Sequence, residues 1–195
     1  MMIRLQYTLL ILLLAFISCQ TSDVDKYRSL VKQELDSKKK VNDIFFGISL
    51  GMSSKDFYLH CWNMNKKGLF TDGMNNTSVL YTLSHNELKS PASMNFYPEF
   101  TSDSKIHKMW ARFQYKGWMP WNKPLSSDSL LIDVLQLYRK WYPSGNPFIE
   151  IKDPQKGTIY VKVDGNRQIV LSRYDDVEVK ADYTDLSRLD QTQKR

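Results

Sequence analysis

The chain has 195 residues, of which 42% are hydrophobic and 13% aromatic, and its formal net charge is +6. This length suits one domain with its own apolar core, or two small halves. The two cysteines and three histidines show no C-x-x-C or H-x-x-x-H spacing, which argues against a metal site. The positive charge is interpreted as a solubilising surface, and no nucleic-acid partner is predicted.

The N-terminal segment has the organisation of an export signal. Arg4 precedes the nine apolar residues 9–17. A helix rises about 1.5 Å per residue, so this run is too short for a hydrocarbon core of about 30 Å. Residues 1–18 are therefore predicted to be a removable signal peptide. Ordinary cleavage after Ser18 requires a small residue at position 16, and Phe16 does not fit that requirement.

The segment Phe16-Ile17-Ser18-Cys19 resembles the lipobox of bacterial lipoprotein precursors, with Phe16 in place of the usual leucine-like residue. The resemblance implies that Cys19 becomes an acylated N-terminus, which makes the membrane a partner through its lipid. Gln20 replaces the aspartate that commonly retains lipoproteins in the inner membrane, so the outer membrane of the cell envelope is favoured. Lipidation leaves Cys61 unpaired, and Cys61 is interpreted as a buried small hydrophobe. The alternative is a secreted protein in which Cys19 is incidental.

Residues 19–43 are predicted to be either a short amphipathic helix or a polar tether that lifts the domain from the membrane. Asp23 and Asp25 precede three lysines at 38–40, which matches the sign of a helix dipole. Apolar residues recur between them at helical spacing: Val24, Tyr27, Leu30, Val31 and Leu35. The folded domain is predicted over residues 44–186 and begins with a short strand at 44–46. Residues 187–195 are predicted to be a polar tail.

Two helices are predicted inside the domain. The first begins at Ser53, carries Phe57, Cys61 and Met64 on one face, and ends at Gly68. The second begins near Ser126, and its apolar stripe is stopped by the proline and glycine at positions 143 and 145. Both helices therefore have a recognisable start and end in the sequence.

Short alternating segments after each helix predict strands. They cover residues 78–84, 94–97, 106–116, 148–152, 158–163, 168–173 and 177–183. In 106–116, Met109, Ala111 and Phe113 alternate with Trp110 and Arg112. The predicted fold class is α+β, with an antiparallel sheet packed by helices on one face. Because strands follow each helix, a duplicated helix-then-strands unit over 44–117 and 118–186 is a further hypothesis.

The segment Gly47-Ile48-Ser49-Leu50-Gly51 matches the G-x-S-x-G nucleophile elbow of hydrolases. The wider sequence does not fit that family. Too little chain precedes Ser49 to form the earlier strands, and the last histidine is His107, so no histidine occurs late in the chain. The segment is interpreted as a strand-to-helix connection in which Gly51 provides the turn. No phosphate-binding glycine pattern occurs, and no cofactor or catalytic residue is predicted.

The segment 118–124 holds two tryptophans and two prolines just before the second predicted helix. Its rings either form a lid over the core, which is the favoured interpretation, or face a ligand. Trp118, Trp121 and Lys123 are the candidate ligand-binding residues. The sequence predicts a non-enzymatic binding or assembly module of the envelope, with a protein or glycan partner. The alternatives are a glycan- or peptide-acting envelope hydrolase and a structural or stress-related envelope protein.

Overall fold

The computed structural model describes residues 22–74 and 77–189. The predicted signal peptide, Cys19 and most of the predicted tail lie outside the described residues. The described helices are α1 (Asp23–Asp36), α2 (Ser54–Lys66) and α3 (Ser127–Trp141). The described strands are β1 (Phe70–Asp72), β2 (Val79–Leu83), β3 (Ala92–Phe100), β4 (Ile106–Tyr115), β5 (Ile149–Asp153), β6 (Gly157–Asp164), β7 (Arg167–Arg173) and β8 (Glu178–Asp185).

Local capping explains where the helices begin and end. The Ser22 hydroxyl accepts a hydrogen bond from the Asp25 amide at 3.1 Å, and Ser53 does the same for Asp56. These side chains satisfy amides that have no partner within a helix. After α2 the chain turns at Gly68, whose φ of +71° suits a residue without a Cβ. The structure thus agrees with the predicted position of α2.

The eight strands form one antiparallel sheet in the order β1-β2-β3-β4-β8-β7-β6-β5. The prediction of a duplicated helix-then-strands unit is wrong, because the strands after α2 and α3 do not form separate halves. They join where β4 pairs with β8, from Lys108 opposite Thr184 to Gln114 opposite Glu178. The fold is broadly α+β, with a single continuous sheet and a shared core.

The main core lies between α3 and the face of the sheet formed by β4, β7 and β8. Leu130, Val134 and Tyr138 follow one another on the buried side of α3. They pack into a cluster that includes Phe113 and Val179. Each large apolar side chain buried in this way contributes roughly 1.5–3 kcal/mol, so this layer carries most of the stability.

Helix α1 packs on the opposite face of the sheet, so the predicted arrangement with helices on one face is also wrong. Tyr27, Leu30 and Val31 contact a second cluster that contains Val161 and Val163. Because side chains of a strand alternate between faces, these valines point away from the main core. Of the two alternatives for residues 19–43, the described part is the helix, and it is docked on the domain.

The predicted strand at 44–46 is wrong, because the chain makes a tight turn there. The amide of Ile48 donates to the carbonyl of Phe45 at 2.9 Å, and Phe46 and Gly47 both have positive φ. An extended strand cannot accommodate these backbone angles. Ile44 and Ile48 are nonetheless buried, which fastens this turn to the core.

Candidate functional site

The three predicted ligand-binding residues do not share one environment in the structure. Trp118 is half-buried against the main core, whereas Trp121 is 78% exposed. Lys123 is exposed and begins a short 3-10 helix. Trp118 and Lys123 line a cleft of about 560 Å³ with Arg173 of the β7–β8 turn region, and Trp121 does not line it. One tryptophan therefore serves as a lid, and the other faces solvent.

The segment around Ser49 lines a separate cleft of about 530 Å³, together with Trp141, Tyr142 and Arg167. No histidine is among the described residues that line it. The ring of His60 is instead 2.8 Å from the carbonyl oxygen of Phe46, with Nε2 as the nearest atom. A serine becomes a strong nucleophile only beside a base. The geometry of the described residues therefore gives Ser49 no imidazole to activate it.

A cluster of buried charges, here called the buried network, lies below the β6–β7 turn. The Asp164 carboxylate is 3.2 Å from Lys162 Nζ and 3.0 Å from an Arg167 nitrogen, and all three side chains are at most 6% exposed. Lys162 also donates to the carbonyl of Ser144 at 2.8 Å. Buried charges need such close partners because their desolvation costs several kcal/mol each.

The buried network continues into α1. Glu34 accepts hydrogen bonds from the Gly165 amide at 2.6 Å and from the Asn146 side chain at 2.8 Å. The backbone amide of Asn146 in turn donates a hydrogen bond to the Asp164 carboxylate at 2.7 Å. The guanidinium carbon of Arg167 lies 4.7 Å from the centre of the Tyr142 ring. Most of these groups are paired within the protein, although the buried Nε of Arg167 has no hydrogen-bond partner among the described residues, and the contacts of Glu34 hold α1 in place.

The half of the sheet opposite α3 that α1 leaves uncovered carries polar and aromatic side chains. We call this surface the open face and define it by Lys108, Trp110, Arg112, Gln114, Glu178, Lys180 and Asp182. All seven are partly exposed, and they alternate along β4 and β8 with fully buried residues. Antiparallel sheets often have one such solvated face. A tryptophan and an arginine at its centre are unusual for a surface that only meets water.

Arg112 is held rigidly at the centre of the open face. Its guanidinium carbon is 3.9 Å from the ring centre of Tyr174 and 5.6 Å from that of Trp110. One of its terminal nitrogens is 3.6 Å from Glu178, and its buried Nε has no hydrogen-bond partner among the described residues. Cation–π contacts of this kind fix a flexible side chain in one orientation.

The carboxyl group of Glu178 has an altered acidity. Burial raises its pKa above the ordinary value, and the nearby Asp175 raises it further, while Arg112 acts in the opposite direction. Burial is the largest of these causes, so the ion pair does not fully offset desolvation. A partner that approached the open face would therefore meet a carboxyl group already poorly solvated.

Helix α2 bears a second apolar surface. Tyr58, Leu59 and Trp62 are each about half exposed, and Lys66 Nζ lies 3.4 Å from the Trp62 ring centre. On the inner side of the helix, burial raises the pKa of the Cys61 thiol to about 11. A thiol with this pKa is protonated at neutral pH and is a poor nucleophile. Cys61 is half-buried, whereas the sequence indicated a buried small hydrophobe.

Sequence reasoning missed the open face as a site, although its main signal was visible. Trp110 and Arg112 stand on the polar side of the alternating segment 106–116. The contact between Tyr174 and Arg112 could not be predicted from neighbouring residues, because Tyr174 lies in a turn that the pairing of β4 with β8 brings to Arg112.

Within residues 22–74 and 77–189, no helix is long and apolar enough to cross a membrane. The same residues contain no group of three or more His, Cys, Asp or Glu side chains that could hold a metal ion. No protein-family model, curated protein or solved structure matches the chain.

Proposed function

We propose that this chain is a bacterial lipoprotein precursor processed at Cys19, and that its domain is a non-enzymatic binding module of the cell envelope. In this proposal acyl chains on Cys19 anchor the protein in the outer membrane. The support is the order of Arg4, the apolar residues 9–17 and the lipobox-like segment ending at Cys19. A multiply acylated terminus binds membranes stably, since each buried methylene adds about 0.8 kcal/mol.

The observation that carries the binding role is the arginine stacked at the centre of the open face. Tryptophan, tyrosine and arginine dominate the energetics of protein interfaces, and Trp110, Tyr174 and Arg112 lie together here. Because Arg112 is already fixed, little side-chain entropy is lost when a partner binds. A protein partner is favoured over a glycan because sugars and other small ligands prefer a concave pocket.

The charges around this centre indicate how a partner would be oriented. Lys180 and Asp182 form an ion pair at 2.8 Å beside Trp110 and Arg112, and Lys108 pairs with Glu99 at 3.5 Å. Charges of both signs on one face favour a single orientation and exclude partners with a mismatched pattern. The proposed partner is therefore a folded envelope protein with an interface of mixed charge.

The anchor is tested by processing and fractionation. Cells expressing the full chain should incorporate radiolabelled palmitate, and inhibition of the lipoprotein signal peptidase should cause the precursor to accumulate. Cys19→Ala should abolish the label and release the protein from the membrane fraction. A Cys19→Ala protein that stays in the membrane fraction as the unchanged chain does would contradict the lipid anchor.

The binding role is tested by capture from envelope extracts with matched variants. The double variant Trp110→Ala with Arg112→Ala should lose a discrete captured protein that the unchanged chain retains. Trp62→Ala, which removes an exposed tryptophan from α2, is the control and should retain it. Thermal unfolding verifies that each variant is folded. Equal loss in both variants, or none in either, would contradict the assignment to the open face.

A further inference from the structure

The direction of α1 determines which end of the sheet can approach the membrane. Tyr27 donates a hydrogen bond to Gln168, the second residue of β7, and Glu34 contacts Gly165 in the β6–β7 turn. The helix lies over β5 and β6, where Tyr27 and Leu30 pack on the cluster that contains Ile151, and its C-terminal part reaches the β6–β7 turn through Glu34. The first residue of the helix, Asp23, therefore points toward the opposite end of the sheet, where β7 ends at Arg173.

The chain between Cys19 and the helix is short. Only Gln20 and Thr21 separate Cys19 from the N-cap Ser22. Three residue steps span at most about 10 Å, whatever their conformation. The helix from Ser22 to Tyr27 adds about 8 Å. The strand from Gln168 to Arg173 extends about 17 Å. Cys19 can therefore barely reach the level of the β7–β8 turn.

The same end of the sheet carries the segment 116–124, here called the aromatic loop. Its neighbour is the β7–β8 turn, because Trp118 and Lys123 share a cleft with Arg173 and Asp176. The Ser127 hydroxyl just after the loop also accepts a hydrogen bond from Arg173 at 3.0 Å. A lipid on Cys19 would thus place the aromatic loop against the bilayer.

The aromatic loop has the chemistry of a membrane-interface contact. Trp121 is 78% exposed and Met119 is 50% exposed, and Lys116 and Lys123 flank them on the surface. Tryptophan prefers the headgroup level of a bilayer, where its ring is apolar and its N–H remains hydrated. Lysine extends its charge outward from the same level.

The acidic groups at this end do not oppose such a contact strongly. Asp175 accepts two backbone hydrogen bonds, from Val177 and Glu178, and Asp176 is 2.8 Å from Arg173. Lys156 of the β5–β6 turn is exposed and adds a positive charge at this end of the sheet. The contact should therefore depend on Trp121 and Met119 more than on charge, and change little with salt.

We infer that the aromatic loop inserts Trp121 and Met119 into the interfacial region of the bilayer that holds the lipid anchor. This inference rests on the proposed acylation of Cys19. It assigns the exposed tryptophan to a lipid surface rather than to a glycan or protein ligand. In this orientation the strands extend away from the membrane surface. The open face is then perpendicular to the bilayer and accessible to envelope partners.

The test uses the full-length, processed protein in vesicles of phosphatidylethanolamine and phosphatidylglycerol with brominated acyl chains, which quench nearby tryptophans. Most of the lipid-dependent quenching should disappear in Trp121→Phe. The matched control Trp62→Phe should keep it, since Trp62 lies on α2 and is also exposed. Quenching should persist in high salt. Unchanged quenching in Trp121→Phe would overturn the inference.

Two further readouts separate the possible failures. Mass spectrometry of the N-terminal peptide establishes acylation of Cys19 first; an unacylated peptide would overturn both the proposed anchor and this inference. An acylated protein whose Trp121 is quenched by aqueous acrylamide and not by the lipid overturns the inference alone. Loss of a captured protein in Trp121→Phe without lipid quenching would assign the loop to a protein contact and likewise overturn it.

Discussion

Two clusters of arginine, lysine and carboxylate side chains lie on this sheet, and they differ mainly in burial. In the buried network, Lys162, Asp164 and Arg167 are at most 6% exposed. On the open face, Arg112 and Glu178 are 28% and 14% exposed, and neighbouring pairs are more exposed still. The buried charges pair with one another and with backbone groups of the adjoining loops. The charges of the open face retain capacity for a partner.

Similar residue types stabilise the structure in the buried network and, in our proposal, bind a partner on the open face. A buried ion pair must be saturated, because an unpaired buried charge is strongly destabilising. A partly solvated pair costs little to rearrange and contributes little to stability. Substitutions in the two clusters should therefore have opposite effects on folding and on binding.

The largest expected effect comes from Asp164→Ala. This change leaves Lys162 and Arg167 buried without their shared carboxylate, and should lower the free energy of unfolding by about 3–5 kcal/mol. Urea unfolding measures the loss. The control Asp182→Asn removes a carboxylate from the open face, where the expected change is about 1 kcal/mol or less. Similar small losses in both variants would break the distinction between the clusters.

The next effect concerns the docking of α1 by Glu34. Glu34→Ala removes the acceptor for the Gly165 amide and the Asn146 side chain, and should cost about 1.5–3 kcal/mol. Hydrogen exchange should accelerate in α1 and remain slow in β4. Lys32→Gln, an exposed change on the same helix, serves as the control. Uniform acceleration across the whole sheet would show that the network does not act locally on α1.

Some of this comparison was visible in the sequence. The alternation in 106–116 predicted a strand with Trp110 and Arg112 on its polar side. The serines at 53 and 126 marked the starts of α2 and α3, although only Ser53 caps its helix with its side chain. These features depend on neighbours a few residues away, which a linear pattern records. Residues 118–122 form a loop as predicted, whereas Lys123 and Pro124 begin a short 3-10 helix, and the two tryptophans of the loop lie in different surroundings.

The rest depends on long-range pairing that no local pattern encodes. Because β4 pairs with β8, the strands form one sheet and not the two units that the sequence suggested. The same pairing brings Tyr174 close to Arg112. The turn at Phe46 was missed because a positive φ is rare outside glycine. The burial of Asp164 was equally hidden, since an Asp-Gly pair is typical of a hairpin turn and turns usually lie at the surface.

A smaller effect on stability is expected from Arg112→Lys. Lysine keeps the charge but loses the planar stack on Tyr174 and Trp110, so the free energy of unfolding should fall by only about 1 kcal/mol. Partner capture should decrease much more than stability does. Capture assays and urea unfolding on the same preparations compare the two. A large loss of stability with unchanged capture would show that Arg112 serves the fold, as the buried network does, and not a partner.

The smallest effect is the pH dependence assigned to Glu178. Because its pKa is raised in the folded protein, the folded state binds more protons than the unfolded state just above the ordinary glutamate range. Stability should therefore fall slightly as pH rises through that window. Glu178→Gln should remove this decrease, whereas Glu150→Gln on the exposed surface of β5 should keep it. Urea unfolding at several pH values tests the difference.

The most direct test of the binding role is photo-crosslinking in living cells. A benzophenone amino acid is placed at Lys108 on the open face or, as a control, at Lys32 on α1. The account predicts one discrete protein adduct from position 108, its loss when Arg112→Ala is added, and no such adduct from position 32. An adduct that forms from position 32 and not from 108, or that survives Arg112→Ala unchanged, would contradict it.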